Sequence, residues 1–410
     1  MPRKELNSAS IWRSADYRSY LGASGFAGMA LAMQQLLLSW ILIGILQLPA
    51  HQVGLLQALI GVPGVVVMLL GGASADRSDV RQMLIRIYWV APVFPLFLVA
   101  VNLAFGLGIT AVIVWGLGMS FAQAYSMPGQ QAILNRIAGA QVQQAVTGAT
   151  AIGFIVQVLG LIMAGQIDRV GVGLVLFIQA VALVLAGFAV REISRPAAKI
   201  TPPQDVSRLA GIREGLSATY RHPMILHVLS ITLVSSIFNA GSFFTVYPFV
   251  VARIYQGDAW LLAVLMAVFF AGAALSNMVL LAFQPLRTPG RLFLIMQLTR
   301  ILVLALIWIQ PAFWVLIVAT VGWGLNMGIT TNLARSMVQE SAPPAFLGRI
   351  LSVFSIGLIG SVPLGAIVLG WLVETFGALN ALVPSMLLSV VLFIYGTFAS
   401  PVWRYRSPEA

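Results

Sequence analysis

Apolar runs follow one another almost without pause from residue 20 to residue 402. Each approaches the roughly 20 residues that a helix needs to cross about 30 Å of hydrocarbon. The runs are continuous, whereas the strands of a membrane barrel alternate polar with apolar. Helices are therefore how this chain satisfies its backbone in lipid. Twelve spans are expected, near 20–46, 52–74, 83–105, 109–132, 143–166, 171–191, 223–250, 259–282, 291–310, 312–335, 350–373 and 379–402. Helix-terminating residues separate them, among them Pro49, Gly106, Gly171, Pro289-Gly290, Pro311 and Pro343-Pro344. The chain is 60% hydrophobic and 9% charged, with a mean hydropathy of +0.95. A soluble chain carries roughly 25% charged residues. The fold class is thus an all-α membrane protein.

Composition removes several chemistries. There is no cysteine, hence no disulfide, thiolate metal site or cysteine nucleophile. The three histidines are well separated and make no metal site. No cofactor is implied. The net charge of +11 raises nucleic-acid binding as a reading, and the placement of the charges argues against it. Of the 23 lysines and arginines, only Arg169, Arg253 and Arg300 lie outside one set of alternate loops and tails. That bias is the positive-inside pattern of a multi-pass protein. It places both termini and the middle loop in the cytoplasm; the expected location is a bacterial cytoplasmic (inner) membrane. The polar segment Ile11–Arg18 reads as an interfacial amphipathic lead into the first span.

The longest hydrophilic stretch, 192–221, divides the chain into six-span halves, 1–191 and 222–410. An internal repeat supports this division. Gln143–Gly165 and Gly348–Gly370 align without gaps, matching Leu159, Gly160, Ile162 and Gly165 to Leu364, Gly365, Ile367 and Gly370. Each copy runs into an acidic turn ending in glycine, Asp168-Arg-Val-Gly171 and Glu374-Thr-Phe-Gly377. Two pseudo-symmetric six-helix bundles are the layout of a transporter that rocks about a midplane site.

The densest charge lies in Gly71-Gly-Ala-Ser-Ala-Asp-Arg-Ser-Asp-Val-Arg-Gln82, between the second and third spans. Charge that dense belongs at a membrane face, because burying it in hydrocarbon costs several kcal/mol. The stretch resembles the Gly-x-x-x-Asp-Arg-x-Gly-Arg-Arg loop of the major facilitator superfamily at Gly72, Asp76, Arg77 and Arg81, with Asp79 and Val80 departing from it. The Asp79 variant is similar to the branch that contains the enterobactin exporter. Two further stretches resemble that branch: Met127-Pro-Gly-Gln-Gln-Ala-Ile-Leu134, and Val338-Gln-Glu-Ser-Ala-Pro-Pro344 with Gly348-Arg-Ile-Leu-Ser352. The resemblance implies that Gly72, Asp76, Arg77 and Arg81 form a cytoplasmic gate latch. The other reading is that these charges only anchor a loop. The arginine that many such exporters carry in span 4 is missing, and the Gly-Pro motif of span 5 is degraded at Gly160-Leu161.

The resemblance also implies a cavity lined by spans 1, 2, 4, 5, 7, 8, 10 and 11. The polar and aromatic candidates on those spans are Gln34, Gln35, Gln123, Gln157, Asn239, Tyr247, Trp323 and Asn326. Amides in lipid face the bundle interior or a wet cavity, and serve as substrate contacts or as interhelical bonds. As a set they suit a neutral or amphipathic organic substrate. No carboxylate falls at mid-depth, which leaves His227, Glu340 and the mid-span Arg300 as coupling candidates.

The leading expectation is a secondary active exporter of a small organic molecule, a siderophore or a drug-like compound, coupled to protons by alternating access. The expected partners are that substrate, membrane lipid and protons, with no nucleic acid, and the protein is expected to be a monomer. An importer or facilitator of the same fold, and a non-transporting sensor, stay open. The chain has no Gly-x-x-x-x-Gly-Lys-Ser/Thr phosphate loop for ATP hydrolysis. An intramembrane enzyme lacks its nucleophile and its carboxylate pair.

Overall fold

The computed structural model describes residues 11–77, 79–195, 208–283, 286–343 and 346–407, except the side chains at 69–77, 140, 142–143, 208–213, 277 and 281. Twelve helices among them are long and apolar enough to cross a membrane. In chain order, spans 1–6 are Ala15–Ile45, Ala50–Met68, Val80–Phe105, Ile109–Ala138, Gln144–Val170 and Val172–Arg191. Spans 7–12 are Pro223–Ile254, Ala259–Leu280, Pro289–Trp308, Phe313–Ser341, Leu347–Phe376 and Asn380–Phe398. The described residues contain no strand. The all-α membrane fold follows, since each helix closes its own backbone bonds.

Two polar stretches differ from their sequence reading. The segment Ile11–Arg18 is split: Ile11–Arg13 forms a short 3-10 turn of its own, and the helix of span 1 already starts at Ala15. Ser14 Oγ accepts from Tyr17 N at 3.4 Å, and Asp16 sits in the first turn, where a negative charge suits the helix dipole. The middle loop contains a helix of its own, Arg208–Arg221, whose Glu214 pairs with Arg349 at 2.5 Å.

Packing sorts the chain into two compact units. The first is Met1–Gln34, Val66–Gly160 and Val172–Pro203. The second is Gln35–Val65, Leu161–Gly171 and Gln204–Ala410. In the first unit, Gly160 of span 5 lies against span 1, so a Cβ there would stand 2.6 Å from Met29 O. In the second unit, spans 8 and 10 make the same kind of contact: a Cβ on Gly324 would overlap Phe269 O. Small residues let membrane helices approach where water supplies no hydrophobic drive.

Junctions between spans in the second unit share a local geometry. Spans 1 and 7 both end in π-helical turns, Ile41–Ile45 and Val250–Ile254. Leu46 N donates to Ile41 O at 2.8 Å, and Tyr255 N donates to Val250 O at 3.1 Å. Each turn runs into a glutamine with left-handed backbone, Gln47 and Gln256, both at φ 49°. The next helix then begins three residues later, at Ala50 and Ala259. Non-glycine residues at positive φ are uncommon. Gln310, at φ 53° and three residues before the helix start at Phe313, ends span 9 in the same way.

Candidate functional site

The second unit contains a cavity of about 260 Å³. Its wall includes Thr232, Ser235, Ser236 and Asn239 of span 7, Gln297 and Arg300 of span 9, and Thr330 and Thr331 of span 10. Phe243 and Phe244 of span 7 and Phe269 of span 8 make its aromatic side. Phe243 stacks on Phe269, and Tyr247 and Trp323 meet these rings edge-on or stacked.

Of the residues singled out in the sequence, Asn239 and Arg300 line this cavity. Asn239 Oδ1 accepts from the fully buried Trp323 Nε1 at 2.7 Å. Tyr247 shares a hydrogen bond between its Oη and Thr320 Oγ1, and stands behind the aromatic wall. Asn326 lies behind Arg300. Its Oδ1 accepts from Arg300 Nε and Nη2, both at 3.3 Å, and its Nδ2 donates to Met296 O at 2.6 Å and to Thr299 Oγ1 at 2.8 Å. Trp323 and Asn326 therefore hold cavity residues in place.

The amides of the first unit act differently. Gln34 Oε1 accepts from Gln179 Nε2 at 3.2 Å, and Gln179 Oε1 accepts from Trp115 Nε1 at 3.2 Å. These bonds join spans 1, 4 and 6. Among the described residues Gln123 Nε2 reaches only Met127 Sδ, at 3.8 Å, and Gln157 is half-buried on span 5. In the second unit, Gln35 has a buried Oε1 with no partner among the described residues. Sequence reading missed Thr232, Ser235 and Gln297. Gln297 stands one turn before Arg300, and a second polar side chain on that face was the available signal.

A second arrangement joins the ends of spans 1, 2 and 5 to spans 7, 8 and 11 within the same unit. Asp168 Oδ1 accepts from Trp40 Nε1 at 2.9 Å, and its Oδ2 accepts from Ala259 N, the first residue of span 8, at 2.8 Å. Glu374 Oε2 accepts from Ala50 N, the first residue of span 2, at 2.8 Å, with His51 Nδ1 at 3.6 Å. Each carboxylate thus caps a helix start in the other half of the chain, where unpaired N–H groups and the helix dipole favour negative charge. Gly171 at φ 85° and Gly377 at φ 84° turn the chain just beyond them, a conformation that glycine adopts without strain. Next to these caps, Gln57 of span 2 accepts from Thr245 Oγ1 at 2.7 Å and donates to Phe244 O at 3.3 Å.

The sequence model of the Major Facilitator Superfamily matches residues 20–363. The chain belongs to the Major Facilitator Superfamily. This is a family of transporters, not of enzymes, and its members take small molecules across membranes. No curated protein sequence matches the chain significantly. Solved structures match its fold. The nucleoside transporter NupG superposes with a TM-score of 0.71 at 14% identity, covering 95% of this chain and 99% of that one. A bacterial homologue of the human lysosomal transporter Spinster gives 0.70 at 14% identity, covering 95% and 98%. A point mutant of a peptide transporter POT gives 0.72 at 13% identity, covering 94% and 95%.

In this superfamily member the loop motif is described only in part. Gly72, Asp76 and Arg77 lie outside the residues whose side chains are described. Asp79 caps span 3, accepting from Arg81 N at 3.0 Å. Arg81 is buried and donates from Nε to Ile193 O and from Nη2 to Arg191 O, both at 2.5 Å. It thereby satisfies carbonyls at the end of span 6 that no helix turn satisfies. Bonds from a charged donor are worth about 1.5–3 kcal/mol each. Arg81→Gln is expected to lower stability by about 2 kcal/mol, read as a fall in the melting temperature of the purified protein. Of the coupling candidates, His227 shares a 2.7 Å hydrogen bond with Tyr395 Oη. Glu340 accepts from Ser336 Oγ at 2.8 Å and from Tyr405 Oη at 2.9 Å.

Proposed function

We propose that this chain is a secondary active transporter that exports a small organic molecule, siderophore-like or drug-like, in exchange for protons by alternating access. The observation that carries this reading is the pair of capping carboxylates. An alternating-access protein needs one gate whose two sides hold each other and still separate. Asp168 with Ala259 and Glu374 with Ala50 supply such bonds at corresponding positions of the repeat, few in number and reversible. In this reading residues 1–191 and 222–410 are the rocking halves, 192–221 joins them, and the protein works as a monomer. Asp76, Arg77 and Arg81 latch the opposite, cytoplasmic gate. Export and proton coupling rest on the branch resemblance of Ala75-Asp-Arg-Ser-Asp79.

The orientation is the cytoplasmic placement of both termini in a bacterial inner membrane. Reporter fusions at Arg208 and Arg404 are expected to read cytoplasmic, and fusions near Pro49, Gly257 and Pro311 external. An external reading at Arg208 overturns that orientation. Transport itself is tested in proteoliposomes against a compound panel, with and without a pH gradient. Compound movement that grows with the gradient supports exchange. Movement indifferent to the gradient makes the protein a facilitator, and no movement of any compound refutes the reading.

A further inference from the structure

Arg300 lies in span 9 with 3% of its surface exposed. Its four hydrogen bonds all go to neutral acceptors: two to Asn326 Oδ1, one to Gln297 Oε1 at 3.0 Å and one to Ser235 Oγ. No carboxylate pairs with it among the described residues. Their acids are at or beyond the ends of spans, as Asp168, Asp258, Glu340 and Glu374 show. A guanidinium is not deprotonated in proteins, so its charge stands uncompensated in a low-dielectric surround. Neutral dipoles orient the group and leave that charge in place.

Two further polar atoms on the same cavity are unengaged. Gln297 Nε2 and Thr232 Oγ1 are buried with no hydrogen-bond partner among the described residues. The amide orientation is fixed by its neighbours: Gln297 Oε1 faces the N–H groups of Arg300, so the donor end is the free one. Arg300 Nη2 carries two N–H groups and makes one bond among the described residues, so it keeps one to give. The wall therefore has donors left over, and no carboxylate lines it among the described residues. Phe243, Phe244 and Phe269 of spans 7 and 8 line the same cavity, with Phe293 on the helix of Arg300 itself.

We propose that this cavity binds the carboxylate of an aromatic organic acid, with Arg300 as its anchor and Gln297 Nε2 and Thr232 Oγ1 as accessory donors. The carboxylate supplies the missing charge and two acceptor oxygens, while the phenylalanine rings take the apolar body. The proposal rests on the transporter reading and names the chemical class of its substrate.

The experiment measures binding to the full-length purified protein and needs no transport. The probes are 2-naphthoate and its methyl ester, which differ in charge and hardly in shape. The acid is expected to bind and raise the melting temperature, with the ester weaker by at least about tenfold, because bonds to a charged group are worth more than about 1.4 kcal/mol. Arg300→Gln is expected to abolish the preference. Gln297→Glu serves where that variant fails to fold, since it places a counter-charge beside Arg300. It is expected to keep the protein folded and to weaken the acid by at least about tenfold. Equal binding of acid and ester, no binding of either, or undiminished acid binding by folded Gln297→Glu overturns the proposal. Failure of the transport reading looks different: acid binding persists and no compound moves in proteoliposomes. Transport of neutral compounds without acid binding sinks the anion site alone.

Discussion

Replacing Asp168 with Asn and Glu374 with Gln together is expected to reduce transport at least about tenfold while leaving the protein folded. Both substitutions keep size and one acceptor atom and remove the charge. The charged carboxylates now hold Ala259 N and Trp40 Nε1 on one side and Ala50 N on the other. Losing the charge weakens each cap by about 1–2 kcal/mol, since bonds to charged groups exceed neutral ones by roughly that amount. Two such losses shift the equilibrium between closed and open gates by roughly 30-fold or more. The chain has no cysteine, so Ser39→Cys is a clean reporter. Ser39 is buried, and its Oγ bonds to Phe244 O at 3.3 Å across this contact. When the double substitution is added to the Ser39→Cys protein, a membrane-impermeant thiol reagent applied outside is expected to label the introduced thiol faster than in Ser39→Cys alone. Equal labelling and undiminished transport together refute the gate.

The second large effect separates two glycines with nearly equal crowding. A Cβ on Gly54 of span 2 would overlap Ala366 O of span 11, and a Cβ on Gly324 of span 10 would overlap Phe269 O of span 8. Both positions lie far inside van der Waals contact, so the backbones must separate. Spans 8 and 10 belong to one half of the chain and have no reason to part during a cycle. Gly324→Val is expected to abolish recovery of folded protein, as overpacking at backbone contact exceeds the usual cost of an overfilled core, roughly 1–3 kcal/mol, and reaches about 4 kcal/mol or more. Spans 2 and 11 belong to different halves, and their contact is one the proposed cycle breaks and remakes. Gly54→Val is expected to yield folded protein that cannot close this gate and transports nothing. Gly28→Ala, with no atom within 4 Å of its Cβ, is the neutral control and is expected to change stability by less than about 0.5 kcal/mol. Chromatographic homogeneity and transport assays on the three variants separate these outcomes. A Gly54→Val protein that transports normally defeats the distinction.

The span count was legible because the membrane imposes it locally. Roughly twenty apolar residues between breakers read as a span wherever they fall, and the twelve expected segments correspond to twelve helices. Loop polarity was legible in outline, but the helix Arg208–Arg221 was not. Its sequence is polar, and Glu214 with Arg349 joins residues far apart in the chain. Site residues were legible by type only. Gln34 and Asn239 look alike in sequence. Gln34 bonds Gln179, whereas Asn239 stands on a cavity. Nothing in a one-dimensional pattern states which face of a buried helix meets a void. The acidic turns carried the strongest unread signal. Asp168 and Glu374 stood out as a repeat, yet only their partners give them a role.

Composition and spacing by themselves determined that this chain crosses a membrane twelve times and that it resembles a transporter family, because each of these is a property of segments taken singly or in order. The tertiary structure decided the rest: that Asp168 and Glu374 cap helices of the opposite half, that Gly54 and Gly324 bring backbones into contact, and that Arg300 shares a cavity with two unengaged polar groups. Each of these depends on which distant atoms meet. Hydrogen bonds and steric contact act over a few ångströms, so sequence order alone leaves those meetings open.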